Sequence, residues 1–125
     1  MNLAQKLWPS VVLTAVALIA APDNIRAAPK DIQKVAAGAS LAQETNKGNC
    51  LACHAMPSDP GAITSTNIGP PLLSMKARFP DREQLRRQIW DAQSINSDTV
   101  MPPFGKNRIL TGEEIDLVID YLYTL

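Results

Sequence analysis

The sequence is short of reactive side chains. Its 125 residues include one histidine, His54, and two cysteines, Cys50 and Cys53. Aromatic residues are also few: two Trp, two Tyr and two Phe. Basic and acidic side chains balance at 12 each, and the Lys and Arg residues are scattered rather than gathered in a stripe. That excludes the electrostatic footprint of a nucleic-acid binder. No internal repeat or low-complexity block is present, and no stretch alternates convincingly at period two, which argues against a β fold. The main apolar run, Val11 to Ala21, is 11 residues, well short of the ~20 that a spanning helix needs. No nucleophile can be paired with a base, so the chain is not expected to be a catalyst alone.

What is present begins at the N-terminus. Lys6 lies in a short n-region, the apolar run follows as an h-region, and Ala27 supplies a small residue at a cleavage position. Residues 1–27 therefore read as a secretory signal peptide cut between Ala27 and Ala28, with an uncleaved anchor as the alternative. Residues 28–125 form one domain, destined for an exported compartment that permits disulfides. Without the leader they carry 10 basic and 11 acidic side chains.

The periodicity of Ile32, Val35, Ala36, Ala39 and Ala42 predicts a helix over 31–47, with a break near Gly38. Residues 55–75 are rich in Pro, Gly, Ser and Thr and read as loop. A helix over 81–93 has Asp81 as its N-cap with Gln84 three residues on, and Leu85, Ile89 and Ala92 on one face. Trp90 reads as a core residue, with the alternative that its indole N–H donates to an acid group of a bound cofactor. Residues 94–110, interrupted by Pro102, Pro103 and Gly105, read as loop. The last helix is the clearest. Thr111 and Glu114 are spaced as a capping box, and Ile115, Val118, Ile119 and Leu122 form an apolar stripe. The expected class is all-α, with loops too long for a domain of this size unless they wrap something.

All three reactive side chains fall within "GNCLACHAMP", residues 48–57. A redox dithiol of thioredoxin type wants a strand before Cys-x-x-Cys and a helix after it; here a helix precedes and a loop follows. Structural zinc wants four Cys or His ligands, and the chain has three. A short disulfide beside a bystander histidine is the plainest alternative. Covalent haem attachment accounts for all three residues: Cys50 and Cys53 form thioethers with the two vinyl groups, and His54 reaches the iron. One haem c would also help fill an interior short of rings.

A sixth iron ligand is then needed, and methionine is the soft candidate. Met56, two residues past His54, would lie on the histidine's side of the ring. Met75 reads as packing. Met101, 47 residues after His54, precedes two prolines that stiffen its loop and remove two N–H donors. Met101 is the expected ligand. An axial histidine usually donates its other ring N–H to an acceptor, often a backbone carbonyl. "IGPPL", residues 68–72, is placed to serve, although Gly-Pro-Pro alone reads as a turn.

With these features the chain resembles class I cytochromes c over nearly all of residues 28–125. The resemblance implies an all-α fold of short helices and long loops around one covalent haem. It implies that the Pro70 carbonyl accepts from His54 and that Leu72 packs on the haem. There is one departure. The family often places a Gly and an aromatic one helical turn apart shortly before the first Cys, facing the C-terminal helix. Here Gly38 and Leu41 lie farther upstream, which leaves that helix–helix contact open.

"KGNCLACHAMP", "NIGPPL", "RFPD", "QIWD" and "TVMPPFGKNRILTGEEIDLVIDYLYTL" are further similar to the SoxX family, the monohaem subunits of the SoxAX complexes of sulfur-oxidising bacteria. This implies a periplasmic location, no membrane association after signal cleavage, and a SoxA-type cytochrome partner. It also implies a SoxYZ-type carrier whose cysteine is joined to thiosulfate, and a downstream soluble cytochrome c that takes the electrons. Composition and spacing show none of that chemistry. They do agree with an electron-transfer role, because His54 and Met101 together would leave no iron position for substrate. A free monohaem shuttle is the alternative. A haem-based gas sensor would need an open axial position.

Overall fold

The computed structural model describes residues 29–64 and 66–125; the signal-peptide reading of residues 1–27 lies outside them. The described residues contain four α-helices and no strand: α1 (Lys30–Gln43), α2 (Met75–Arg78), α3 (Arg82–Trp90) and α4 (Gly112–Leu122), with 3₁₀ turns at Cys50–Ala52 and Ala92–Ser94. The class is all-α, as expected.

α4 is the centre of the packing. Thr111 Oγ1 accepts from the Glu114 N–H at 3.2 Å, while the Glu114 carboxylate accepts from the Thr111 N–H at 2.8 Å. This reciprocal cap satisfies two of the helix's orphan donors. The apolar stripe is buried throughout: Ile115 and Ile119 are 0% exposed, Val118 1% and Leu122 3%. The opposite face pairs with α3. Arg82 donates to Asp120 at 2.7 Å and to the Asp116 carbonyl at 2.7 Å, and Arg86 donates to the Asp116 carboxylate at 3.1 Å.

The α1–α4 contact, left open by the sequence, is made through Gly38. A Cβ at Gly38 would overlap the Leu117 carbonyl oxygen and crowd the Tyr121 side chain. The missing side chain is what allows the two backbones to approach, and the aromatic partner comes from α4. The expected break at Gly38 does not occur; α1 runs through it because tertiary packing outweighs glycine's ~1 kcal/mol helix penalty.

α1 ends at Gln43, four residues before the expected limit. Glu44 is extended, and the chain folds back so that the Gly48 N–H donates to the Leu41 carbonyl and the Asn49 N–H to the Glu44 carbonyl. Asn49 is left-handed at φ 45°, a conformation that asparagine tolerates better than most residues. This reversal delivers Cys50 to the core.

α3 is also shorter than 81–93. The Asp81 carboxylate caps it by accepting from the Glu83 N–H at 3.0 Å, and it ends at Trp90. α2 lies at the end of a stretch read as loop. Trp90 departs from its expected core position: it is 40% exposed, with its ring against Gly105 and the Arg86 guanidinium 5.5 Å from its centroid. Among the described residues, no helix is long and apolar enough to cross a membrane.

Candidate haem site

A cavity of about 610 Å³ opens between the Cys50–His54 segment, the Gly69–Leu72 loop, α3, the Met101 loop and α4. Its size falls within the range of small-molecule and cofactor sites. Cys50, Cys53, His54, Pro70, Leu72 and Met101 all line it. Side chains from residues 50 to 101 thus meet at one void, although no helix carries more than a few of them.

The Cys-x-x-Cys-His segment is held by its own backbone. The Cys50 carbonyl accepts from the N–H groups of Cys53 and His54 at 3.1 and 2.8 Å. This tight turn leaves several carbonyls without helical partners, and residues 64–72 satisfy them. The Thr64 and Thr66 hydroxyls donate to the Leu51 and Ala52 carbonyls, both at 3.1 Å. The Gly69 N–H donates to Cys53 and the Leu72 N–H to Ala55, both at 2.7 Å. Between these two bonds, His54 Nδ1 lies 2.7 Å from the Pro70 carbonyl oxygen. A carbonyl only accepts, so Nδ1 carries the proton, and in the neutral imidazole the lone pair is then on Nε2. A Cβ at Gly69 would overlap the imidazole, so glycine lets the loop close over the ring. Arg78 steadies the same loop by donating to the Pro71 carbonyl at 2.9 Å, a role that nothing in the sequence spacing announces.

The cysteines are free thiols, not a disulfide. Burial pushes the Cys50 thiol up to about 11, with the neighbouring Cys53 adding to the effect. Reactive redox dithiols instead have a cysteine whose pKa is lowered. Among the described residues, no group of three or more His, Cys, Asp or Glu side chains could hold a metal ion, so structural zinc lacks its donor set.

The three methionines among the described residues separate clearly. Met56 is 2% exposed, and its sulfur lies 3.3 Å from the Tyr121 hydroxyl, away from the cavity lining. Met75 is also 2% exposed and lines the cavity, with Arg78 3.5 Å from its sulfur. Met101 is half-buried and lines the cavity from a loop; its N–H donates to Thr99 Oγ1 at 3.2 Å, and Gln88 Nε2 lies 4.0 Å from its sulfur.

Haem fits this donor set. The cavity presents two thiols, one imidazole with its nitrogen roles assigned and two thioethers, in surroundings that are otherwise mostly apolar. Cys50 and Cys53 would carry the covalent links, and His54 and Met101 would bind the iron. When bound, the haem supplies one-electron redox chemistry.

One polar network behind the site escaped the sequence reading. The Tyr121 hydroxyl donates to Asp59 Oδ2 at 2.5 Å, and Gln43 Nε2 donates to the same oxygen at 3.3 Å. This ties α1 and α4 to the segment just past His54. The Tyr121 hydroxyl and the Gly61 N–H hold the Asp59 carboxyl below its ordinary range. A carboxyl whose pKa is depressed on folding stabilises the fold above its unfolded pKa, ~3.9, and loses that contribution as pH falls through the folded value. Tyr121→Phe should therefore cost about 1–2 kcal/mol at neutral pH. Asp59→Asn should flatten the acid limb of stability against pH. Urea unfolding of both variants from neutral pH down to about pH 3 checks this, and an acid limb unchanged in Asp59→Asn would discount the network.

Fold and site together define a c-type cytochrome. Residues 33–122 match the family model described as cytochrome c oxidase, cbb3-type, subunit III, and the chain belongs to that family. Membership implies covalently bound haem and electron transfer. The chain is also 35% identical over 79 residues to a protein of Aquifex aeolicus (strain VF5) named "Uncharacterized lipoprotein". That stretch is 63% of this chain and 37% of the relative, so little more than a third of the relative's length is matched.

Proposed function

We propose that this chain is an exported monohaem cytochrome c that serves as a SoxX-type electron-accepting subunit, working in the periplasm with a SoxA-type cytochrome. The observation that carries this reading is the similarity across "NIGPPL", "QIWD" and "TVMPPFGKNRILT", which goes beyond what haem attachment demands. The name of the Aquifex relative, a lipoprotein, supports export. In the proposed reaction, the partner subunit joins thiosulfate to a cysteine thiol of a SoxYZ-type carrier. A sulfur–sulfur bond forms, the thiol S–H bond breaks, and one proton and two electrons are released. This chain takes the electrons one at a time and passes each to a soluble cytochrome c. With haem bound, His54 and Met101 would both hold the iron and so keep substrate off it. The Pro70 carbonyl holds the His54 ring in its metal-binding tautomer, and Leu72 and Phe104 help exclude water.

A free electron shuttle is the second reading. Every site residue described serves haem c and none serves thiosulfate, which favours it. Mixing the purified protein with its larger cytochrome partner, the carrier and thiosulfate separates the two. Rapid reduction of this chain in the full mixture, together with a stable complex, supports the subunit reading. No complex, and reduction no faster than by thiosulfate alone, supports the shuttle.

A further inference from the structure

The C-terminal end of α3 grips the loop that carries Met101. The N–H groups of Gly105 and Lys106 both donate to the Trp90 carbonyl at 3.1 Å. The Trp90 indole lies so close to Gly105 that a Cβ there would overlap it. Lys106 Nζ meets Asp91 Oδ2 at 2.8 Å. The Asp91 side chain is 14% exposed with its Oδ1 buried, while Lys106 is 61% exposed; the Lys106 hydrogen bond, with smaller help from the Ser94 and Gln93 N–H groups, holds the Asp91 carboxyl below its ordinary range. Removing Lys106 would take away the main group that stabilises this carboxylate's charge, leaving the Ser94 and Gln93 N–H groups beside it.

These contacts occupy the two stretches, "QIWD" and "MPPFGK", whose pairing haem attachment does not explain. Trp90 is on the surface because its ring covers the loop instead of filling the core. The loop closes on itself only through short-range bonds, such as the Asn107 N–H to the Pro103 carbonyl. Phe104 and Leu110 anchor the loop in the apolar core, and its polar hold on the rest of the fold is on the end of α3. A neutral thioether is a weak iron ligand, so its occupancy depends on how rarely its loop opens.

We propose that Trp90, Asp91 and Lys106 form a latch, a set of positioning residues that holds the Met101 loop on α3 and so sets how readily the Met101 sulfur leaves the haem site. The latch rests on the reading of Met101 as the distal ligand. Opening it requires both backbone bonds to the Trp90 carbonyl, the ring contact and the ion pair to give way together.

The test uses the haem-loaded full chain and imidazole, which binds ferric iron only when the methionine has left. Lys106→Met and Trp90→Leu should each bind imidazole about tenfold more tightly than the native protein, as expected for loss of a modest closing free energy. Lys106→Arg should keep native binding. Arg82→Gln, which breaks the Arg82 ion pairs to Asp116 and Asp120 without touching the loop, should lower the urea midpoint and leave imidazole binding within about twofold. Native imidazole affinity in both latch variants, or an equal change in Arg82→Gln, would overturn the latch. If native ferric protein lacks the weak far-red methionine–iron absorbance, or Met101→Ala retains it, the ligand reading is what has failed and the latch falls with it. If that absorbance is present and depends on Met101 while imidazole binding does not move, the latch alone is wrong.

Discussion

Met101→Ala should abolish the weak far-red absorbance of the ferric protein and lower its reduction potential. Alanine offers no donor, and the harder ligand that replaces the thioether favours ferric iron. Met75→Ala is the sharper comparison, because both methionines line the cavity and only their settings differ. Met75 is 2% exposed, and its N–H donates to the Leu125 carbonyl at 3.2 Å, so it belongs to the packed core. Its truncation should cost about 2–5 kcal/mol in urea unfolding while leaving the absorbance and the potential nearly unchanged. Loss of the band in Met75→Ala with retention in Met101→Ala would reverse the two roles.

A second large effect is expected at the cysteines. Native protein matured with haem should carry the mass of one haem that survives acid–acetone extraction. The Cys50→Ser, Cys53→Ser double variant should retain none, and each single variant should still hold one thioether. The double variant should also be much less stable. Leu72, Leu85, Ile89, Val118 and Leu122 turn apolar surface toward a cavity of about 610 Å³. Without a tethered group those faces meet water, and a ligand bound only to the native state no longer supports the fold. Native material with the mass of the bare polypeptide would overturn the covalent reading.

Much of this was legible along the chain, and unevenly so. The α4 capping box and buried stripe were readable because both depend on residues three and four apart, a spacing that the helix itself imposes. The Asp81 cap was also readable, because a cap is set by residues beside the helix start; its carboxylate accepts from the N–H two positions on. The limits of α1 and α3 were not, because those helices end where the chain must turn toward Cys50 and toward the Met101 loop. α2 has four residues and no period to detect. Trp90 was misjudged because apolar size predicts burial, while its ring here covers a glycine 15 residues away. The Tyr121–Asp59 bond joins residues 62 apart and has no local signature.

The sequence by itself pointed to covalent haem attachment: Cys50, Cys53 and His54 within five positions have few other uses in a chain with no further Cys or His. It also determined the all-α class, through the period of its apolar residues. Only the tertiary structure decided which carbonyl meets Nδ1 of His54, which methionines reach the cavity, and how Gly38 lets α1 close on α4. It alone brought Trp90 and Asp91 onto the Met101 loop. The physical reason is range. Helix periodicity and a Cys-x-x-Cys-His turn are set by bonds between neighbours, whereas the site is completed by segments that approach only after α1, α3 and α4 have buried their faces against one another.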